Sequence, residues 1–353
     1  MHAARRFAAD DFDVRLTRHP AGHIHETWFV DSVGTGAGFV LQRLNDVVFP
    51  DCDAMMDNLL RVVSHLAARE PEPDRRVLRA VRADGGDALV SSEDGSRWRA
   101  FVLVANATAH ESVDAPQAAY EVGRALGRFV ALVQDLPGPT LVEPIPHFKD
   151  FAFRRDGFEM MVELDPFDRA STCQAEIEAL RLHHPLVAEL LAAIESGQLP
   201  ARVVHNDAKA SNVLLDDESG EGLCVIDLDT VAPGVVLFDI GDLMRSATVT
   251  VAEDATDLGG VAVRDDLLGA ALAGYLHGAG AMMTHGERAL IPLAGPLMAY
   301  ENALRFLADH LSGDVYFRVT RPRHNLDRAR VQLRVMDALS RARGRVAELV
   351  EQA

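Results

Sequence analysis

The pattern of hydrophobic and polar positions changes near residue 106. Before it, short runs of β-type residues alternate with turn signals, as where "TWFVD" and "GFVLQRLN" are joined by "SVGTGAG". The stretch "ALVSSEDGSRWRAFVLVAN" predicts two more strands around a Glu-Asp-Gly-Ser turn. One helix, capped by Asp51 or Asp53 and running to about Arg69, has apolar residues at helical spacing. This part is predicted to be rich in β-structure.

After residue 106 the pattern becomes helical. Apolar residues recur three and four positions apart in "APQAAYEVGRALGRFVALVQDL", "AEIEALRLHHPLVAELLAAIESG", "LMAYENALRFLADHL" and "LDRARVQLRVMDALSRARGRVAELVEQ". The Gly- and Ala-rich stretch "LLGAALAGYLHGAGAMMTHG" is a poor membrane span and is predicted to be a buried helix. The chain is therefore predicted to be α+β, with a β-rich lobe over residues 1–106 and a mostly helical lobe over residues 107–353.

A strand-rich island in the helical part carries closely spaced polar residues. The stretch "VVHNDAKASNVLLDD" places Asp207, Lys209 and Asn212 between two apolar strand ends, and "LCVIDLDTVAPG" follows after a polar turn, which predicts a hairpin. Alternation along its second strand predicts that Asp227 and Asp229 point to the same face. Pairing of the strands is expected to bring Asn212 beside Asp227. Amide and carboxylate oxygens with open positions suit Mg²⁺ bound through phosphates.

The spacing Asp-x-Lys-x-x-Asn, followed fifteen residues later by an Asp, matches the catalytic loop and metal acid of kinases. On this interpretation Asp207 orients an acceptor hydroxyl and takes its proton, while Lys209 balances charge on the phosphoryl group. Asn212 and Asp227 hold Mg²⁺. A lone Asp in such a loop is ordinarily a cap or turn residue, so it is the four-residue pattern that favours catalysis. His205 is predicted to be structural.

Two acidic residues of "FDIGDLMR", Asp239 and Asp242, are expected to cap and brace the next helix rather than to take part in the chemistry. Asp229 has two open interpretations. It either contacts the metal or the substrate, or it is held in a hydrogen-bonded structural role.

Composition and charge narrow the function classes. The 353 residues are 48% hydrophobic and 25% charged, as in ordinary globular proteins. A net charge of −18 argues against a nucleic-acid partner, although local cations and a metal can still bind ATP. The widely separated Cys52, Cys173 and Cys224 argue against a disulfide framework, and no secretory signal is visible. We expect a cytoplasmic protein without a membrane partner, either a monomer or a homodimer.

The segment "HNDAKASNVLLD…VIDLDTVAPGVVLFDIGD" resembles the aminoglycoside phosphotransferase and choline kinase superfamily, and within it the N-acetylhexosamine 1-kinases. The stretches "GHIHETW", "FVLQRLNDVVF", "ENALRFLADHLSGDVYFRV" and "HNLDRARVQL" extend this similarity over nearly the whole chain. The resemblance implies a protein-kinase-like fold of two lobes, with ATP in the cleft between them.

On the nucleotide side, the resemblance implies that the loop from Gly22 to Thr27 lies over the phosphates, although it lacks the three-glycine kinase pattern. Arg43 stands where many kinases have the phosphate-binding Lys, which keeps the charge but changes its shape to a planar fork. Strand alternation points Arg43 away from Gln42. Asp57 is the candidate helix acid to pair with Arg43, and an exposed helix charge is the alternative interpretation of Asp57.

On the acceptor side, the resemblance implies that Asp229, Arg305 and Tyr316 contact a sugar. An ion pair with Glu301, four residues earlier on the same helix, would equally explain Arg305, and Tyr316 could belong to the core.

The sequence thus predicts an ATP- and Mg²⁺-dependent kinase of a sugar hydroxyl, the anomeric one of an N-acetylhexosamine. A kinase of an aminoglycoside, choline or another amino alcohol is the alternative. A catalytically silent nucleotide-binding pseudokinase would be expected to have lost some catalytic groups, and all four are intact. A metal-dependent hydrolase would need more His ligands near Asp207 and Asp227.

Overall fold

The N-terminal part is built around one antiparallel sheet. The computed structural model describes residues 2–8, 14–19, 24–32 and 38–352. The elements up to residue 106 are α1 His2–Phe7, β1 Val14–Arg18, β2 Glu26–Ser32, β3 Gly38–Arg43, α2 Cys52–Ala67, α3 Pro73–Arg76, β4 Ala80–Val81, β5 Leu89–Ser91 and β6 Arg97–Val102. The strands lie in the order β1-β2-β3-β6-β4, and β5 also pairs with β6. The predicted β-rich N-terminal part is confirmed, and we call its described residues up to 106 the N-lobe.

Helix α2 joins the N-lobe sheet to the rest of the molecule. Its N-cap is Asp51, whose carboxylate accepts a hydrogen bond from the backbone N–H of Ala54 at 2.9 Å. Its apolar face is buried, as the predicted helical spacing requires. Asn58 on the same helix donates to the backbone oxygens of Val142 and Val231, both beyond residue 106. The main apolar core includes residues of both parts of the chain, and a second, smaller cluster lies within the N-lobe.

The C-terminal part, which we call the C-lobe (described residues from 107), is mostly helical. Its elements are β7 Ala107–Ala109, α4 Pro116–Val133, α5 Phe151–Leu164, α6 Gln174–His183, α7 Pro185–Glu195, β8 Arg202–Val204, β9 Val213–Asp216, β10 Gly222–Val225, β11 Ala232–Gly234, α8 Val236–Ala247, α9 Asp265–Ala279, α10 His285–Leu311 and α11 His324–Gln352. The predicted helical segments are helices. Pro185 divides one of them into α6 and α7, because proline lacks the N–H that a helix interior needs. Helix α5 was not predicted.

The predicted buried helix is α9, which packs closely against α4. A Cβ atom added at Gly123 on α4 would lie 2.1 Å from the backbone oxygen of Ala271, and one at Gly274 on α9 would lie 2.0 Å from that of Tyr120. Real side chains cannot approach so closely, so the glycines allow the two backbones to touch. The Gly-rich composition thus serves helix packing. No helix in the described ranges has the length and apolarity needed to cross a membrane.

Two small sheets carry the residues between β8 and β11. Strands β9 and β10 form the predicted antiparallel hairpin, which β7 extends, and β8 pairs with β11. The loop between β8 and β9 therefore leaves one small sheet and enters the other. The proposed lobe boundary at residue 106 falls between β6, in the N-lobe sheet, and β7, in the hairpin sheet.

Candidate active site

The loop after β8 is fixed by a buried carboxylate from α8. Asp239 accepts hydrogen bonds from the backbone N–H groups of His205 and Asn206, both at 2.8 Å. The ring Nε2 of His205 donates to the backbone oxygen of Ile226 at 2.9 Å, which ties the loop to the end of the hairpin. Asn206 has a left-handed φ of 64° and donates to the backbone oxygen of Thr230. His205 is structural, as predicted, whereas Asp239 braces this loop as well as lying in the first turn of α8.

Within this loop the structure brings together three of the predicted site residues. The Lys209 Nζ lies 3.0 Å from Asp207 Oδ2. The Asn212 amide donates to the backbone oxygen of Asp207 at 2.7 Å and to its carboxylate at 3.2 Å. Burial raises the pKa of Asp207, but Lys209 and His205 lower it by a larger amount. The pKa of Asp207 therefore lies well below its usual range. Asp207 is therefore ionised at neutral pH and can only accept hydrogen bonds.

The neighbouring acid, Asp227, is not on a strand. Strand β10 ends at Val225, Asp227 has a left-handed φ of 59°, and Leu228–Thr230 form one turn of 3₁₀ helix. The prediction that Asp227 and Asp229 share a strand face is therefore wrong, because the backbone reverses between them. No described residue donates a hydrogen bond to the Asp227 carboxylate. Reduced hydration and the nearby negative charge of Asp229 raise its pKa.

Asp229 instead points into the N-lobe. Arg99 on β6 donates to its two carboxylate oxygens at 2.5 and 2.6 Å, and His25 Nε2 donates to it at 2.8 Å. The backbone N–H of Asn45 donates to the other ring nitrogen of His25, and Arg99 Nε donates to Gln42. Burial raises the pKa of Asp229, but Arg99 and His25 bring it far below its usual range. Both carboxylate oxygens of the residue expected to contact the acceptor are thus engaged by N-lobe side chains.

Sequence reasoning did not identify Arg99. The signal was present, because Arg99 is a charged residue in a strand whose other central positions, in "RWRAFV", are apolar or aromatic. Such a side chain must either reach solvent or find a buried partner. Arg99 has found a buried partner, since only 2% of its side chain is exposed.

Arg43 lies at the end of β3 and is partly exposed. Its guanidinium is 3.3 Å from a Glu26 carboxylate oxygen and donates to Ser96 Oγ at 3.1 Å. Strand register explains this, because Glu26 on β2 is the direct cross-strand neighbour of Arg43. The suggested pairing with Asp57 is wrong. Asp57 is exposed on α2, so its alternative interpretation holds.

Of the other two nucleotide-side residues, the structure describes Thr27. Thr27 is on β2, and its hydroxyl accepts a hydrogen bond from Gln42 at 3.3 Å, on the sheet face that also carries Arg99. Gly22 lies outside the described residues.

Arg305 and Tyr316 line one cavity between α5 and α10. Its volume is about 210 Å³, and its walls include Phe153, Arg154, Phe158, Met161, Arg305, Tyr316 and Phe317. The guanidinium of Arg305 lies 3.4 Å from Glu301 and 5.6 Å from the ring centre of Tyr316. Burial lowers the pKa of Arg305, but Glu301, Tyr316 and Asp207 raise it by a larger amount, so the pKa is raised overall. Arg305 therefore forms the predicted helix ion pair and also lies on the cavity wall.

The segment that carries Tyr316 is held by Asp309 on α10. The Asp309 carboxylate accepts hydrogen bonds from the backbone N–H groups of Val315, Tyr316 and Phe317, at 2.8 to 2.9 Å. It also accepts one from the side chain of Asn325 at 2.8 Å. The cavity wall is thus built on a rigid support, which fixed recognition of a small ligand requires.

Beneath the cavity, charged side chains compensate one another. Lys149 Nζ lies 3.5 Å from Asp242 and 3.8 Å from Glu301. Arg245 donates to the other carboxylate oxygen of Asp242 at 3.2 Å. Asp242 therefore pairs with Arg245 on its own helix, which is the expected bracing role, and it also pairs with the buried Lys149.

Comparison with known proteins defines the family. Residues 15–284 match the model of a family described as "Phosphotransferase enzyme family". The chain belongs to this phosphotransferase family. The match includes the N-lobe sheet, the catalytic loop and the hairpin that carries Asp227.

Solved structures of similar fold cover nearly the whole of this phosphotransferase. They include a microcompartment-associated aminopropanol kinase (14% identity, TM-score 0.66, 98% of this chain and 96% of that one). A choline kinase from Cryptosporidium parvum Iowa II has 12% identity and a TM-score of 0.57, covering 96% and 90%. A spectinomycin phosphotransferase, solved with ADP and spectinomycin, has 12% identity and a TM-score of 0.56, covering 97% and 94%. At these identities the comparisons establish a kinase-like α+β fold.

The residues at the hairpin fit a magnesium ion. Asp227 is a carboxylate that receives no hydrogen bond from the described residues, and Asn212 supplies an amide oxygen from the adjoining loop. The described part of the chain contains no cluster of three His, Cys, Asp or Glu side chains arranged for a metal. Mg²⁺ is commonly bound through only one or two protein groups together with substrate phosphates, which matches this sparse set.

Proposed function

We propose that this phosphotransferase is an ATP-dependent kinase whose acceptor is a hydroxyl group of a monosaccharide. The observation that supports a sugar as the acceptor is the cavity beside Arg305. Its volume of about 210 Å³ is below the roughly 300–1,000 Å³ of drug-sized ligand pockets. That size suits one sugar ring better than a multi-ring aminoglycoside.

The charge of the cavity wall also favours a sugar over choline or an amino alcohol. Among the described wall residues, Asp309 supplies the only carboxylate, and its oxygens already accept hydrogen bonds from three backbone N–H groups and from Asn325. A cationic acceptor would find no free carboxylate there. Arg305 and Tyr316 can instead donate hydrogen bonds to hydroxyl or carbonyl oxygens.

The resemblance to N-acetylhexosamine 1-kinases favours the anomeric hydroxyl of an N-acetylhexosamine. In the proposed reaction Asp207 accepts a hydrogen bond from that hydroxyl and receives its proton as a bond forms between its oxygen and the γ-phosphorus. The bond from the γ-phosphorus to the bridging oxygen of ATP breaks, and ADP leaves. Lys209, 3.0 Å from Asp207, orients the carboxylate and balances charge on the phosphoryl group.

Asn212 and Asp227 would hold Mg²⁺, which when bound neutralises phosphate charge. Arg43 and Thr27 are proposed to contact the nucleotide. Asp229 takes a positioning role, because its oxygens are engaged by Arg99 and His25. Three free buried thiols agree with our proposal of a reducing, cytoplasmic compartment.

The test is an ATP-consumption screen over N-acetylhexosamines, hexoses, aminoglycosides, choline and amino alcohols. The position of phosphate on the product is then found by ³¹P NMR, and Asp207→Asn serves as the matched inactive control. We expect turnover with monosaccharides and an anomeric phosphate. Activity confined to choline or aminoglycosides would keep the kinase and overturn the sugar. Nucleotide binding without turnover of any acceptor would favour the silent pseudokinase.

A further inference from the structure

Arg154, on the first turns of α5, is a cation without a partner. It lines the same cavity as Arg305, and its Nε is buried without a hydrogen-bond partner. Within the described ranges, no carboxylate pairs with the Arg154 guanidinium and no acceptor reaches it. The next residue on the helix, Arg155, behaves differently, because it is ion-paired with Asp156 at 2.7 Å.

The other cations near the cavity are compensated. Glu301 lies 3.4 Å from Arg305 and 3.8 Å from Lys149, and Asp242 lies 3.5 Å from Lys149. Of the two guanidinium groups on this wall, that of Arg154 therefore has no carboxylate within ion-pair distance among the described residues. Burial, together with the nearby charge of Arg305, lowers the pKa of Arg154. Two guanidinium groups that face one cavity repel each other unless an anion lies between them.

The remaining walls strengthen any charge interaction inside the cavity. They are formed largely by apolar and aromatic side chains, namely Phe153, Phe158, Met161, Leu304 and Phe317. Such walls reduce the local dielectric response, so an ion paired with Arg154 would be bound more strongly there than at an open surface. The same walls make an unpaired guanidinium costly.

We propose that the acceptor is a monosaccharide that carries a carboxylate or a phosphate group, bound in this cavity by Arg154 together with Arg305. This inference rests on the proposed sugar-kinase function and names a subclass of its substrates. A guanidinium presents a planar fork of N–H donors that matches both anions. Arg305, on the same cavity wall, would supply a second such fork.

The first experiment compares acceptors on the wild-type chain. The probes are N-acetylglucosamine, N-acetylglucosamine 6-phosphate and glucuronic acid, each assayed for kcat/KM with saturating ATP. We expect at least one acidic probe to exceed the neutral one by roughly 10- to 100-fold, the factor that corresponds to one charge-assisted hydrogen-bonded contact. The phosphate and carboxylate probes distinguish the two anions. Equal kcat/KM for the neutral and both acidic probes would overturn the inference while leaving the sugar kinase in place.

The second experiment tests the residue. Arg154→Gln should lower kcat/KM for the acidic sugar roughly tenfold or more beyond its effect on the neutral sugar. The matched control is Arg155→Gln, one position along the same helix, which should leave the ratio unchanged. Arg154→Lys keeps the charge but loses the fork, so it should fall between wild type and Arg154→Gln, and it also serves if the glutamine variant does not fold. Equal losses on both sugars in Arg154→Gln and Arg154→Lys would overturn the assignment.

A different result would identify failure of the proposed function itself. If no monosaccharide is phosphorylated while choline or an aminoglycoside is, the proposed sugar acceptor is wrong, and the proposed acidic sugar is wrong with it. Acceptor binding measured by calorimetry separates this from slow turnover, because an acidic sugar should still bind the wild type more tightly than it binds Arg154→Gln.

Discussion

The guanidinium of Arg99, on β6 of the N-lobe, donates hydrogen bonds to both carboxylate oxygens of Asp229, two residues after the proposed metal ligand Asp227. Only 2% of each side chain is exposed. This buried pair connects the two lobes at the point where the nucleotide is expected to bind. The turn that carries Asp227 and Asp229 is therefore held by a residue that lies more than a hundred positions earlier in the chain.

Breaking this pair should destabilise the protein. Arg99→Gln leaves the buried Asp229 charge with His25 as its remaining partner, so we expect the free energy of unfolding to fall by about 3–5 kcal/mol. Urea unfolding measures it. The control is Arg97→Gln on the same strand, whose ion pair with the largely exposed Asp53 should contribute only about 0–1 kcal/mol. A similar small loss in both variants would show that the Arg99 pair contributes no more to stability than a surface ion pair.

Replacing the proposed base should affect turnover rather than binding. Asp207→Asn keeps the shape of the side chain but cannot take the proton, and we expect kcat to fall by about 10²- to 10⁴-fold. KM for ATP should change little. Steady-state kinetics and a thermal melt are the measurements. Near wild-type turnover would remove Asp207 from the mechanism.

Removing a proposed metal ligand should abolish most of the activity without unfolding the chain. Asp227→Ala and Asn212→Ala each delete one oxygen ligand, and activity should remain low even at high Mg²⁺ concentration. Asp217→Asn, in the exposed turn of the same hairpin, is the control and should retain activity. Full recovery of Asp227→Ala at saturating Mg²⁺ would contradict the assignment.

The acceptor and nucleotide sides should separate in Arg305→Ala. Because Arg305 lines the cavity between α5 and α10, KM for the sugar should rise, while KM for ATP should stay near the wild-type value. Both constants are measured over matched concentration series. An equal rise in the two would assign Arg305 to a purely structural ion pair with Glu301.

Stability at acid pH should depend on a buried ion pair between β8 and α10. Arg202 donates two hydrogen bonds of 2.9 Å to Glu287, which is fully buried at the start of α10. Burial raises the pKa of Glu287, but Arg202 and Thr284 lower it by a larger amount, so the pKa is lowered overall. A folded pKa below the unfolded value means that this stabilisation is complete at neutral pH. It is lost as the pH falls below about 4.3 and through the folded pKa.

Wild type should therefore exceed Glu287→Gln by about 1–3 kcal/mol at pH 7. Urea unfolding of both proteins at pH 7 and near pH 4 should show this advantage shrinking at the lower pH. Glu348→Gln, in an exposed pair with Arg345, is the control and should show little difference at either pH. A difference between wild type and Glu287→Gln that is independent of pH would contradict the ion pair.

The sequence by itself determined the features that depend on neighbouring positions. Asp207, Lys209 and Asn212 lie within six positions of one loop, so a single short backbone path brings them together. The hairpin of β9 and β10 and the helices α2 and α9 follow from turn residues and apolar spacing, which act over a few residues. These local preferences agree with the fold that forms, so they could be identified without it.

Only the tertiary structure decided which distant groups meet. His25 and Asp229 are 204 positions apart, and Arg99 reaches the same carboxylate from another strand. A left-handed residue at Asp227 separates two acids that strand alternation would have placed together. The cavity that Arg154 shares with Arg305 exists because α5 packs against α10. Such contacts depend on the free energy gained when whole elements bury their surfaces against one another. That free energy cannot be read from a local pattern of residues.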